Sequence, residues 1–183
     1  MSQARVDYSE LKPGLAGITE QTIPAMQRLC AEAVKDQRVR RWAEHVCATA
    51  GALGGNRLAE ARAIFDFVRA KLKYVRDPSS MELLHDPRTL LERIEAHGWA
   101  AGDCDDHAIM TAALGHSIRL PIVYVVAGAA SAPEHVYAAM SLVDSPSRRQ
   151  DLLALDTAVP EPALGRHPDL PVYVAFAALP EDF

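Results

Sequence analysis

Apolar residues recur every three or four positions through the first two-thirds of the chain, then switch to runs and alternation. Met26, Leu29, Cys30, Ala33 and Val34 share one helical face, with Thr22 placed as an N-cap and Pro24 in the first turn. Residues 1–21 hold Pro13, Gly14 and Gly17 without a period and predict an extended arm. Val39, Trp42, Ala43 and Val46 define a second helix over 39–50, stopped at Gly51. The strongest pattern covers 58–74: Leu58, Ala61, Ile64, Phe65, Val68 and Leu72 form a stripe, and Asp77-Pro78 ends it. Asp86-Pro87 opens a short helix with Leu90, Leu91 and Ile94 inward, and Gly98 closes it and leads into a loop. Helical spacing resumes after Cys104 with Ala108, Ile109, Ala112, Ala113 and Ile118.

From Pro121 the period changes. Residues 122–126 are β-branched and aromatic, a buried strand; 135–143, 152–155 and 172–176 predict three more. Helices first and an antiparallel set of strands after them predict an α+β fold. The Gly54-Gly55-Asn56 break divides an N-terminal arm and helical extension, 1–56, from a core over 57–183.

Charge and cysteine usage narrow the function. The net charge is −5 and the only basic cluster is Arg38, Arg40 and Arg41 on a predicted helix, so nucleic acid and anionic membranes are poor partners. Three cysteines, Cys30, Cys47 and Cys104, make no disulfide framework and no zinc ribbon. Cys30 and Cys47 sit at apolar helical positions and are expected to be buried. A polar N-terminus and no long apolar run predict a cytoplasmic protein.

The candidate chemistry is in Gly102-Asp103-Cys104-Asp105-Asp106-His107. His135 opens an apolar run 31 residues after Cys104, and Asp156 closes another 21 residues after that. Cysteine, histidine and carboxylate at the edges of three elements are a thiol nucleophile, its base and its orienter. Cys104 lies at a helix start, where backbone N–H groups and the dipole favour a thiolate. The backbone N–H groups of Cys104 and Asp105 are placed to hold an oxyanion. Asp103, Asp105 and Asp106 oppose the thiolate unless they point away or act as caps, so a nearby imidazolium is required. His107 shares the helix with Cys104, which gives poor geometry for a base; His135, on a strand, can approach from across a cleft. His45, His85, His97, His116 and His167 carry no predicted role. Zinc ligand types are present in Cys104, Asp106, His107, His135 and Asp156, but with one close soft pair only, and no metal or cofactor is expected.

These residues resemble the transglutaminase-like superfamily of papain-like thiol enzymes. The resemblance rests on the 63–77 stretch, the 102–108 motif, the helix-to-strand passage at 118–126, His135-Val136-Tyr137 and Leu155-Asp156-Thr157. It covers roughly residues 58–160 and is closest to short proteins of bacteria and of phage or prophage genomes. It implies a triad of Cys104, His135 and Asp156, a thioester intermediate, and a peptide or other amide-bearing substrate. Family members hydrolyse amides, exchange acyl groups between amines, or are silent binding or assembly modules. Two departures stand out: His135-Val136-Tyr137 replaces a common His-Ala-Trp, and the strand before Asp156 lacks its usual tryptophan. Trp99, five residues before Cys104, is a candidate for the site wall.

Overall fold

A computed structural model describes residues 18–77, 83–129, 132–170, 172–181 and 183. Its helices are α1 (Ile23–Val34), α2 (Gln37–Thr49), α3 (Arg57–Lys71), α4 (Pro87–His97) and α5 (Cys104–Ser117). The strands are β1 (Leu72–Tyr74), β2 (Ala100–Gly102), β3 (Ile122–Ala129), β4 (Ala132–Ser141), β5 (Leu152–Ala154) and β6 (Val172–Ala177). The last four form an antiparallel sheet in the order β5-β4-β3-β6, while β1 and β2 pair in parallel. The fold is α+β, as the switch of period predicts. Among the described residues no helix is long and apolar enough to cross a membrane.

The helix α5 is the hub. Every residue from Asp105 through Gly115 is buried, so no face of it meets solvent there. Its apolar side chains join Met26 and Cys30 of α1, Val39 and Ala43 of α2, Ile64 and Phe65 of α3, and Leu90 and Leu91 of α4 in one core. Tyr124, Val126, Val136 and Ala138 close that core from the sheet. The opposite face of the sheet carries a smaller cluster with Val125, Ala127, Tyr137 and Ala139. Cys30 and Cys47 are both fully buried, and burial pushes their thiols up, to about 12 and about 11.

Local chemistry sets most boundaries. Asp36, Asn56 and Asp86 each accept from a backbone N–H two or three residues on, capping α2, α3 and α4. Gly98 ends α4 in the left-handed region at φ 82°, open to glycine without a side-chain clash.

Five expectations need correction. The predicted 58–74 helix stops at Lys71, because Leu72, Lys73 and Tyr74 pair with Ala100, Ala101 and Gly102 instead. Both segments are short, so their strand character comes from each other rather than from propensity. Leu58 is 53% exposed and lies off the buried stripe. Residues 100–102, expected as loop, are therefore a strand leading directly to the cysteine. The extended arm expected over 1–21 is wound from Ile18 to Thr22, a π-helical turn that runs into α1; its earlier part lies outside the described residues. Thr22 consequently has helical backbone angles and makes no side-chain cap.

Candidate active site

Cys104 is the first residue of α5. Asp103 before it is in extended conformation, and its Oδ1 accepts from Asp105 N–H at 3.3 Å. The thiol therefore sits at the positive end of a 14-residue helix. Asp105 N–H is one of the two donors expected to hold an oxyanion, and here the cap competes for it. At 3.3 Å the cap bond is just longer than the usual N–H···O range, so the competition is weak.

The three carboxylates around the cysteine have separate fates. Asp103 is the cap. Asp106 is fully buried; its Oδ1 accepts from His85 N–H at 2.7 Å and its Oδ2 from His85 Nδ1 at 2.8 Å. That hydrogen bond is the main cause of a raised His85 pKa. Gly102 makes room for the pair, since a Cβ there would lie 2.4 Å from Asp106 Oδ2. Asp105 stays beside the thiol, with Oδ1 3.6 Å from Cys104 Sγ, within reach of a thiol donor. Only Asp106 is thus turned away from the thiol; Asp103 and Asp105 each keep a carboxylate oxygen within 4.8 Å of Sγ and oppose a thiolate.

The base side is built on the sheet. His135 is the fourth residue of β4, and its Nε2–H donates to Asp156 Oδ2 at 2.8 Å. Asp156 is 1% exposed, and its Oδ1 accepts from Ala158 N–H at 3.1 Å. With Nε2 so engaged, Nδ1 is the nitrogen left to accept a proton. The His135 ring stacks on Tyr137, centroids 5.7 Å apart and planes 17° from parallel. Tyr137 thus supplies an aromatic wall beside the ring. Its hydroxyl lies 2.7 Å from His167 Nδ1, and His167 Nε2 lies 3.1 Å from the Leu152 carbonyl. A carbonyl only accepts, so Nε2 carries the proton and Tyr137 O–H donates to Nδ1 of a neutral ring. Burial, the main cause of a lowered His167 pKa, keeps it neutral.

His107 joins the two sides. It lies one turn along α5 from Cys104 and is 2% exposed. Its Nδ1 is 2.8 Å from Thr157 Oγ1, next to Asp156, and its titration feels the charges of Asp106, Asp156 and His135. Burial, the largest cause, pushes its pKa down to about 4, so it is neutral near pH 7 and unsuited to be the base. Tyr74, at the end of β1, sets its ring 6.4 Å from that of His107. The Tyr74 hydroxyl is pushed up first by burial and then by the charge of Cys104. Trp99 is 45% exposed and holds Lys73 Nζ 4.2 Å over its ring, a cation–π contact. A cleft of about 410 Å³ opens beside Asp156, walled by Val159, Pro160, Arg166, His167 and Pro168.

Sequence reasoning did not single out His85, Tyr74 or His167. Tyr74 was hidden by the helical reading of 58–74. His85 and His167 meet their partners 21 and 30 residues away, and no local pattern marks either. Among the described residues, one cluster of metal-ligand types occurs, Asp103, Cys104 and Asp105. It has two carboxylates, one thiol and no imidazole, unlike the Cys- and His-based sets of structural zinc sites.

No family model and no curated protein matches the chain. Among solved structures, it is similar to one from Parabacteroides distasonis described as a "putative protease", at 15% identity and a TM-score of 0.48. The match covers 73% of this chain and 29% of that one, so the chain spans less than a third of its neighbour's length. A likeness this distant decides neither family nor activity.

Proposed function

We propose that the chain is a cysteine-dependent amide hydrolase or acyltransferase of transglutaminase-like type, with Cys104 as nucleophile, His135 as base and then acid, and Asp156 as orienter. The observation that carries this reading is the His135 Nε2–Asp156 Oδ2 bond of 2.8 Å, which leaves Nδ1 for a thiol proton. The helix start at Cys104 and the removal of Asp106 by His85 support it.

The chemistry is balanced by these groups. The Cys104 proton passes to His135 Nδ1, and the thiolate bonds to the carboxamide carbon. Backbone N–H groups at the helix start hold the oxyanion. As the carbon–nitrogen bond breaks, Nδ1–H protonates the leaving amine and a thioester remains. Water or a second amine attacks the thioester, its proton goes to Nδ1, and from there to the departing Cys104 sulfur. A peptide bond, a glutamine side chain and a peptidoglycan cross-link all present the required carboxamide. Hydrolysis is preferred over transfer because no residue pattern marks an amine site.

A second reading, a silent binding or assembly module of phage-related type, draws on one observation. Asp105 Oδ1 at 3.6 Å from Cys104 Sγ favours the neutral thiol. Iodoacetamide alkylation of Cys104 across pH separates the two. An active site gives labelling that titrates well below 8.5, the ordinary thiol value, and that reverts toward it in His135→Ala. Labelling near 8.5 that is unchanged in His135→Ala sinks the enzyme reading.

A further inference from the structure

We propose that His107 is a positioning residue: through Thr157 it fixes Asp156, and through Asp156 the His135 ring, at a set place relative to the helix start that carries Cys104. The proposal rests on the reading of Cys104, His135 and Asp156 as a reactive set.

The argument follows a chain of contacts. Cys104 and His107 belong to the same rigid turn of α5. His107 Nδ1 reaches Thr157 Oγ1 at 2.8 Å, a bond between a helix and the segment that follows β5, 50 residues away. Thr157 is the middle residue of 156–158, in which Asp156 Oδ1 accepts from Ala158 N–H at 3.1 Å. Holding Thr157 therefore holds the turn that aims Asp156 Oδ2 at His135 Nε2, 2.8 Å away. Every link is buried or nearly so: His107, Asp156 and Thr157 are 2%, 1% and 6% exposed.

The nucleophile and base come from different elements, and their separation is otherwise set by general packing of α5 on the sheet. A hydrogen bond has a narrower range of lengths and angles than an apolar contact, so the His107–Thr157 bond fixes that separation where packing only bounds it. His107 suits the task because it does not compete for the thiol proton. Burial lowers its pKa and keeps it uncharged, its Nδ1 is engaged by Thr157, and its Nε2 is buried without a partner among the described residues.

The test uses Thr157→Val, which keeps shape and removes the hydroxyl, with His107→Phe as a second route to the same loss and Thr157→Ser as the rescue. Two readouts are taken on the whole chain. The first is solvent exchange of the His135 Nε2 proton by NMR. The second is acylation of Cys104 by a 4-nitrophenyl ester, resolved into kcat and KM. Exchange is expected to quicken at least about tenfold in Thr157→Val and His107→Phe, with kcat down roughly tenfold to a hundredfold at little changed KM. Thr157→Ser restores both, and the double variant is no worse than the poorer single. Wild-type exchange in folded Thr157→Val overturns the proposal, whatever the ester shows. A wild-type protein that the ester does not acylate overturns the reading of the site instead, while exchange still decides the role of His107.

Discussion

His85–Asp106 and His135–Asp156 are built alike. In each, an imidazole nitrogen lies 2.8 Å from a carboxylate; Asp106 and Asp156 are 0% and 1% exposed, and the histidine side chains 16% and 13%. They differ in which nitrogen is engaged. His85 uses Nδ1, and its own backbone N–H takes the other oxygen of Asp106, so the pair closes on itself. His135 uses Nε2, and a backbone N–H from beyond the turn takes the other oxygen of Asp156. One arrangement removes a charge from the neighbourhood of Cys104; the other holds a ring with Nδ1 to spare. The distance within a histidine–carboxylate pair thus says little about role. The nitrogen left over says more.

The largest effect expected from this contrast comes from changing each carboxylate to its amide. In Asp156→Asn the new side chain can turn its NH2 toward His135 Nε2, which must then accept. The proton moves to Nδ1, and the ring can no longer take one from Cys104. Acylation by the ester should fall on the order of 10³- to 10⁴-fold. Asp106→Asn still accepts from His85 N–H and donates to Nδ1, so acylation should stay within a few-fold. Equal losses in the two variants would remove the distinction between the pairs.

Stability should not separate them. His85→Ala removes the ring but keeps the backbone N–H that holds Asp106 Oδ1, so the buried carboxylate loses the partner of one oxygen, which costs about 3 kcal/mol by urea denaturation at pH 7. His135→Ala, which abolishes the proposed base, should cost a similar amount, because Ala158 N–H likewise still holds one oxygen of Asp156. A His85→Ala protein of wild-type stability would show that Asp106 finds compensation elsewhere.

The balance between what sequence shows and hides follows from the range of each interaction. The helix start at Cys104, the strand of His135 and the helix start at Asp86-Pro87 were legible because their signals lie within a turn of the residue they place. The β1–β2 pair was not, because Leu72–Tyr74 continue a helical stripe and become a strand only by meeting Ala100–Gly102. The acidic motif was legible as a difficulty for the thiol. Its resolution was not, since His85 reaches Asp106 from 21 residues away. His107 was judged by its place beside Cys104, and its bond to Thr157 spans 50 residues.

His107 adds a third histidine, and pH separates it from His85. Burial lowers the folded pKa of His107 to about 4. Between that value and the ordinary unfolded value of about 6.5, the unfolded chain binds a proton that the folded chain does not, so stability is lost as pH falls through this window. The loss reaches about 3 kcal/mol at its limit. His85 has the opposite sign: its raised pKa gives stability that is fully present below the unfolded value and is lost as pH rises through the folded one. Urea midpoints against pH should therefore flatten on the acid side in His107→Phe and on the alkaline side in His85→Gln. The same flattening in both would mean that the two rings share one environment.

The smallest effect concerns the wall behind the base. Tyr137→Phe keeps the ring stacked on His135 and removes the hydroxyl that donates to His167 Nδ1. The lost bond should cost about 1 kcal/mol in stability. If stacking alone orients His135, acylation of Cys104 stays near wild type and its pH profile does not move. If the fixed position of the Tyr137 ring matters, Tyr137→Phe and His167→Ala both slow acylation, and by similar factors, because each releases the same ring from the Leu152 carbonyl at the far end of the chain of bonds. Among the described residues no stacked ring backs His85, whose pair with Asp106 closes on itself. A Tyr137→Phe effect on kcat would therefore extend the difference between the two pairs from the nitrogen engaged to the surface each ring rests on.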